Sequence, residues 1–182
     1  MTDPVEQVAA ALRSRNIEAV VVDTPEEARA AVLALVPDGA EVHTAKSKTL
    51  ADVDLSEELS ESGRYDAIRP RLLTMDRDTQ GREMRKLLAA PDFMVGSVQA
   101  LTIDGTLVSA SATGSQLGPY VSGAGRVILV VGSQKIVPDF EAAIRRINEV
   151  VFPYENALVQ AKMGVDTRLE KLLVWYGEWR PG

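Results

Sequence analysis

SASATGSQLGPYVSGAGRVILVVGSQKIV, Ser109–Val137, carries five of the chain's 13 glycines around the unbroken apolar run Val127–Val131. A continuous apolar run followed by a glycine reads as a strand covered on both faces. Glycine costs conformational entropy, so the cluster marks tight turns or backbone that must approach a neighbour closely. On the near side, Thr113, Gly114, Ser115 and Gln116 present hydroxyls and amides together, which suits a ligand. On the far side, VSGAG lets helix and sheet backbones approach. Beyond the strand, Gln134 and Lys135 sit in a third loop, where Lys135 is placed to reach an anion. Each has a plain alternative: a glycine turn without ligand, and a solvated lysine.

Working outward, helices alternate with strands. VEQVAAALRS has Val5, Val8, Ala9 and Leu12 at helical spacing, and EAVVVD, Glu18–Asp23, follows as a buried strand. TPEE is a capping box, with Thr24 as N-cap, Pro25 first and Glu27 third, ahead of Ala28, Ala31, Val32 and Leu35. AEVHTA is a strand, KSKTLADVDLSEELSES a loop and helix, and RDTQGREMRKLLAA a helix with Met84, Leu87 and Leu88 on one face. DFMVGSVQAL and GTLVSASA are two strands joined by the turn Asp104-Gly105. PDFEAAIRRINEVVF is a helix burying Phe140, Ile144, Ile147 and Val151; a kink or break near Pro153, a further helix and the strand LEKLLVWYG complete the chain. This order predicts a single domain over residues 1–182, a three-layer α/β/α Rossmann-like sandwich with a mainly parallel sheet and one antiparallel hairpin.

Composition narrows the chemistry. A formal charge of -6 argues against nucleic-acid and anionic-membrane surfaces and points to a small-molecule partner. There is no cysteine and one histidine, His43, so disulfides, thiolate metal sites and iron–sulfur clusters within this chain are excluded, and no cofactor is expected. No run reaches membrane-spanning length, and a cytoplasmic location is expected. Dinucleotide and P-loop fingerprints are absent, because GAGRV lacks the third glycine and runs into a strand.

In such folds ligands bind outside the carboxyl ends of the strands. In HTAKSKTL, Ser47 and Thr49 precede a helix whose amides, with Lys46 and Lys48, attract phosphate or carboxylate; the alternative is simple capping. The ligand-binding set is therefore Ser47, Thr49, Thr113, Gly114, Ser115, Gln116, Gln134 and Lys135, with no metal ligand. Asp104 is the catalytic candidate, because the turn projects its carboxylate at a strand mouth, whereas His43 lies within a strand.

The series HTAKSKTL, DGT, SATGSQLGPY and ILVVGSQKIV resembles the lactate-utilisation (LUD) domain family, from about Val20 to about Val174. The resemblance implies a fold similar to the sugar-phosphate isomerase and coenzyme A transferase superfamily (NagB/RpiA/CoA transferase-like). It also implies a role in organic-acid use, with iron–sulfur oxidoreductase partner subunits for some members and none for others. Ser47 and Thr49 match the family's Ser-x-Thr-Leu loop, while Ala51 and Asp52 depart from the acidic pair that often follows. Asp104-Gly105-Thr106 approximates an acidic Glu-Thr-Gly-Thr turn, which places this copy with the stand-alone branch. The expected function is binding of a small anionic metabolite linked to lactate utilisation. A non-catalytic sensor or accessory subunit, and a sugar-phosphate or CoA-ester enzyme, are the alternatives; whether the chain is an enzyme stays open. The apolar tail LLVWYGEW suggests a homo-oligomer.

Overall fold

The computed structural model describes residues 3–180 of the 182. In chain order the elements are helix α1 (Pro4–Arg13), α2 (Pro25–Leu35), strand β1 (Glu41–Thr44), α3 (Lys48–Asp52), α4 (Leu55–Glu61), β2 (Asp66–Ala67), α5 (Ile68–Leu73), α6 (Arg77–Ala89), β3 (Phe93–Gly96), β4 (Ala100–Thr102) and β5 (Leu107–Ser111). A π-turn (Pro119–Gly123), β6 (Arg126–Leu129), a 3-10 turn (Ser133–Lys135), β7 (Ile136–Val137), α7 (Phe140–Arg146), a second π-turn (Ile147–Val151), α8 (Phe152–Met163) and β8 (Lys171–Trp175) follow. They gather into two compact units. The first holds Met1–Val21, Val98–Gly114 and Val131–Gly182; the second holds Val22–Ser97 and Ser115–Val130. The units interleave along the chain, so no linker composition marks them.

The second unit is built on a parallel sheet in the order β2-β1-β3-β6. Its α2 begins as the capping box predicts: Thr24 Oγ1 accepts from Glu27 N at 3.1 Å, while the Glu27 carboxylate accepts from Thr24 N at 3.2 Å. Val32, Val42, Leu50, Leu55, Leu59 and Val95 form its core. The far-side glycines are packing devices. A Cβ on Gly123 would stand 1.7 Å from the Ala89 carbonyl oxygen, and one on Gly125 2.9 Å from that of Asp92. Strand β6 corrects the reading of the apolar run: it is an edge strand, and within it only Ile128 is buried.

The first unit has a mixed sheet, β7-β4-β5-β8, in which β5 pairs antiparallel with both β4 and β8 while β4 and β7 are parallel. Ala100, Val108, Ala143 and Ile147 are its buried centre. Three expectations change here and at its borders. Glu18–Asp23 forms no strand; Val20 is 66% exposed, and the run crosses from one unit to the other at Val21–Val22. DFMVGSVQAL is two strands in different sheets, divided where the chain passes from Ser97 to Val98. The helix does not break at Pro153, because the wide π-turn before it absorbs the missing N–H, and Phe140 at its start is exposed rather than buried. No helix among the described residues is long and apolar enough to cross a membrane.

Candidate functional site

The parallel sheet of the second unit has its strand order reverse at β1, which pairs with β2 on one side and β3 on the other. The crevice beyond the carboxyl ends of β1 and β3 is therefore the topological switch point, where open α/β sheets bind ligands. At the β1 exit, Ala45 N donates to Val95 O at 2.9 Å and carries the pairing one residue further. Ser47 then caps α3, its hydroxyl accepting from Leu50 N at 3.4 Å, and Thr49 is buried inside that helix. Helix α3 is only five residues long, and Lys48 pairs with Asp52 at 2.5 Å. So short a helix has a small dipole, and the Ser47 hydroxyl occupies one of its first-turn amides as a cap.

The β3 exit is built by an unforeseen pair, Ser97 and Tyr120. The Tyr120 hydroxyl accepts from Ser97 N and donates to Ser97 O, both at 3.1 Å, and Ser97 Oγ donates to Val130 O at 2.6 Å. The ring reaches this place because position 96 has no side chain: a Cβ on Gly96 would stand 1.8 Å from the Tyr120 oxygen. Tyr120 is 1% exposed, and burial pushes its phenol up to about 12, so it acts as a neutral clamp. Ser115 and Gln116 lie one turn before it. Tyr120 N donates to Gln116 O at 3.2 Å, and Ser115 Oγ donates to Gln116 Oε1 at 3.4 Å. The clamp thus ties the Thr-Gly-Ser-Gln loop's second half to the switch point. GS at the end of a strand and GPY at the start of a helix were its only traces in the sequence.

His43 stands in β1 opposite Met94 of β3. It is buried, its Nδ1 has no hydrogen-bond partner, and burial, with the positive charge of Arg69 second, lowers its pKa to about 4. At neutral pH it is an uncharged imidazole. Arg69, in the first turn of α5 directly after β2, is the cation the sequence reading missed.

The remaining predicted residues belong to the first unit. Thr113 and Gly114 close it at the chain's passage to Ser115. Gly114 has φ of 82°, donates to Ser111 Oγ at 2.8 Å, and lies where a Cβ would meet the Lys171 side chain at 2.7 Å. Gln134 folds against Gly132, and Lys135 donates to the Val98 carbonyl at 2.9 Å, which gives this lysine a structural task. Asp104 sits in the β4–β5 turn. Thr102 Oγ1 donates to its Oδ1 in a short hydrogen bond, Arg15 donates to Oδ2 at 3.0 Å, and Thr106 Oγ1 at 3.3 Å. These donors, Thr102 foremost and Arg15 after it, hold its carboxyl below the usual carboxylate range. An anion so well satisfied is a weak proton acceptor. The eight predicted ligand residues therefore divide, with Ser47, Thr49, Ser115 and Gln116 in the second unit and Thr113, Gly114, Gln134 and Lys135 in the first.

Among solved structures, a DUF162 family protein from Deinococcus radiodurans matches 94% of this chain and 85% of its own with a TM-score of 0.51 at 12% identity, a likeness of fold. A D-ribose-5-phosphate isomerase in complex with phospho-erythronic acid covers 71% of this chain and 66% of its own, with a TM-score of 0.41 and 17% identity. The ribose 5-phosphate isomerase of Plasmodium falciparum covers 70% and 65%, with a TM-score of 0.37 and 13% identity. No curated protein gives a match. The model of the LUD domain matches residues 5–164, which take in β1 to β7 and the clamp at Tyr120, and the chain belongs to the LUD domain family.

Proposed function

We propose that this protein serves organic-acid utilisation, with lactate as the leading case, by binding a small anionic metabolite at the switch point of the second unit. Membership of the LUD family carries the first part of that reading. The exits of β1 and β3 support the second: the loop that holds Ser47 and the Ser97–Tyr120 clamp follow these strands, and the positive charge of Arg69 acts on His43 in β1. A binding role without chemistry is the second reading. Two observations favour it over acid–base catalysis: His43 is neutral and buried, and Asp104 is fixed as a satisfied anion. A coenzyme A transfer route needs a glutamate as acyl acceptor, and none lies in HTAKSKTL, TGSQLGPY or GSQKIVP.

Calorimetric and thermal-shift titrations with L-lactate, pyruvate and inorganic phosphate test the proposal. At a concentration about a hundred times the dissociation constant, a ligand stabilises the fold by about 2.7 kcal/mol. Ser115→Tyr and Arg69→Glu weaken binding by about tenfold or more, and the exposed control Lys86→Glu does not. Absence of any shift with all three anions overturns the reading.

A further inference from the structure

A leucine or methionine at position 43 would fill the place opposite Met94 without cost, whereas the imidazole stands only 6% exposed with no hydrogen-bond partner for Nδ1. A buried polar atom left unpaired costs stability, so its use in place of an apolar side chain calls for a role.

The surroundings of the ring narrow that role. Strand β1 is packed by β2, β3, α4 and α5. Val42, next to His43, belongs to the core made with Leu55 and Leu59 of α4, so alternation along the strand turns His43 to the opposite face, away from α4 and its carboxylates Glu57, Glu58 and Glu61. Strand β3 carries no ionisable side chain. Glu41 of β1 and Asp66 of β2 are both drawn to Arg71 of α5, at 2.9 and 3.0 Å. Arg69 of α5 is what remains. It is exposed, its charge acts on His43, and among the described residues no carboxylate pairs with it. A cation and a neutral base thus stand together without an anion between them.

On the reading that an anion binds at the β1 exit, we propose that Arg69 and His43 form its seat together and that the imidazole takes up a proton as the anion binds. In the free protein burial, and after it the positive charge of Arg69, hold the ring neutral, with its pKa lowered to about 4. A bound anion removes the second cause and opposes the first. It cancels the charge of Arg69, and it supplies a negative group that favours the imidazolium. Burial strengthens this attraction, because little water screens it. Anion and proton therefore assist each other, each raising the affinity of the other by the same factor. The ligand class is a carboxylate or phosphate with one oxygen for each residue; a neutral alcohol or amide gains nothing from the pair. The bound state also holds an acid that the free protein lacks.

The chain has one histidine, so its imidazole proton NMR signals report this group alone. They are followed from about pH 8 to about pH 4, in free protein and with saturating L-lactate, pyruvate or inorganic phosphate. His43 titrates near 4 when free and at 6.5 or above when one of these anions is bound. Affinity for L-lactate, which stays ionised over most of this range, rises about twentyfold from about pH 7 to about pH 5, and His43→Gln flattens that rise. Arg69→Gln weakens binding by about tenfold or more, and Arg69→Lys keeps it, because the seat needs the charge. Binding that leaves the His43 titration unmoved overturns the proton uptake while the anion reading stands. Proton uptake that persists undiminished in Arg69→Gln overturns the shared seat. Failure of all three anions to bind overturns both the seat and the reading beneath it.

Discussion

The end of β3 in the second unit and the Asp104 turn in the first are held by opposite means. Around β3, groups fit because something is absent: no side chain at Gly96 or Gly123, and no charge on His43. Around Asp104, a half-exposed cluster fits because charges and hydroxyls are present: Arg15, Thr102 and Thr106 all donate to one carboxylate. Steric and desolvation constraints act in a dry interior and fail abruptly. Exposed charge contacts are screened by water and fail by degrees.

The sharpest test lies at Gly123. An added Cβ would meet the Ala89 carbonyl oxygen at 1.7 Å, and that oxygen is backbone at the end of α6, so no side chain can swing away. Gly123→Ala is expected to lower stability by more than about 3 kcal/mol in urea unfolding. Gly118 has nothing within 4 Å of the corresponding position and a helical φ of -58°, so Gly118→Ala is neutral or stabilises by about 0.4–1 kcal/mol. Equal stabilities for the two variants break the contrast.

His43 gives the next effect. Its pKa falls from 6.5 to about 4 on folding, so between those values the unfolded chain takes up a proton that the folded one refuses. Its contribution is whole above pH 6.5, declines as the pH falls towards 4, and amounts to about 3 kcal/mol in all. His43→Gln removes that part of the slope from a pH series of urea midpoints; an unchanged slope contradicts the burial argument. Smaller again is Tyr120→Phe. It deletes the oxygen that serves Ser97 N and O and costs about 1–3 kcal/mol, because both backbone groups are left in a buried place. A variant as stable as wild type would show that water takes over the clamp.

How much of this was legible in the sequence follows from the range of the forces involved. The capping box at Thr24, the helix after Asp76 and the hairpin at Asp104 depend on neighbours a few residues apart, and they read correctly. The division of DFMVGSVQAL between two sheets depends on partners 33 and 35 positions away, Arg126 for Phe93 and Ile136 for Leu101, and no local periodicity encodes it. The same holds for the candidate site. Ser47, Thr49, Ser115 and Gln116 were visible as loop chemistry, but Tyr120 reaching Ser97 across 23 positions was not. Arg69 escaped because an arginine early in a short helix looks like any surface residue until β2 sets it beside the neighbouring strand's histidine.

Asp104→Asn is the mildest change and the most discriminating for function. The substitution removes the charge that Arg15 pairs with at 3.0 Å, yet the Asp104 side chain is 64% exposed, so the ion pair is worth less than about 1 kcal/mol. Asparagine keeps an oxygen for Thr102 and suits a tight turn. The carboxyl is depressed on folding, chiefly by Thr102, so its contribution is present above the ordinary carboxylate value and is lost as the pH falls through the lowered one. Wild type and variant should therefore differ slightly at neutral pH, differ less in high salt, and converge in acid. Binding of lactate, pyruvate or phosphate should be untouched, because this turn belongs to the first unit and the proposed ligand residues to the second. A tenfold loss of affinity with this small loss of stability would make Asp104 part of the site and return the carboxylate to the chemistry.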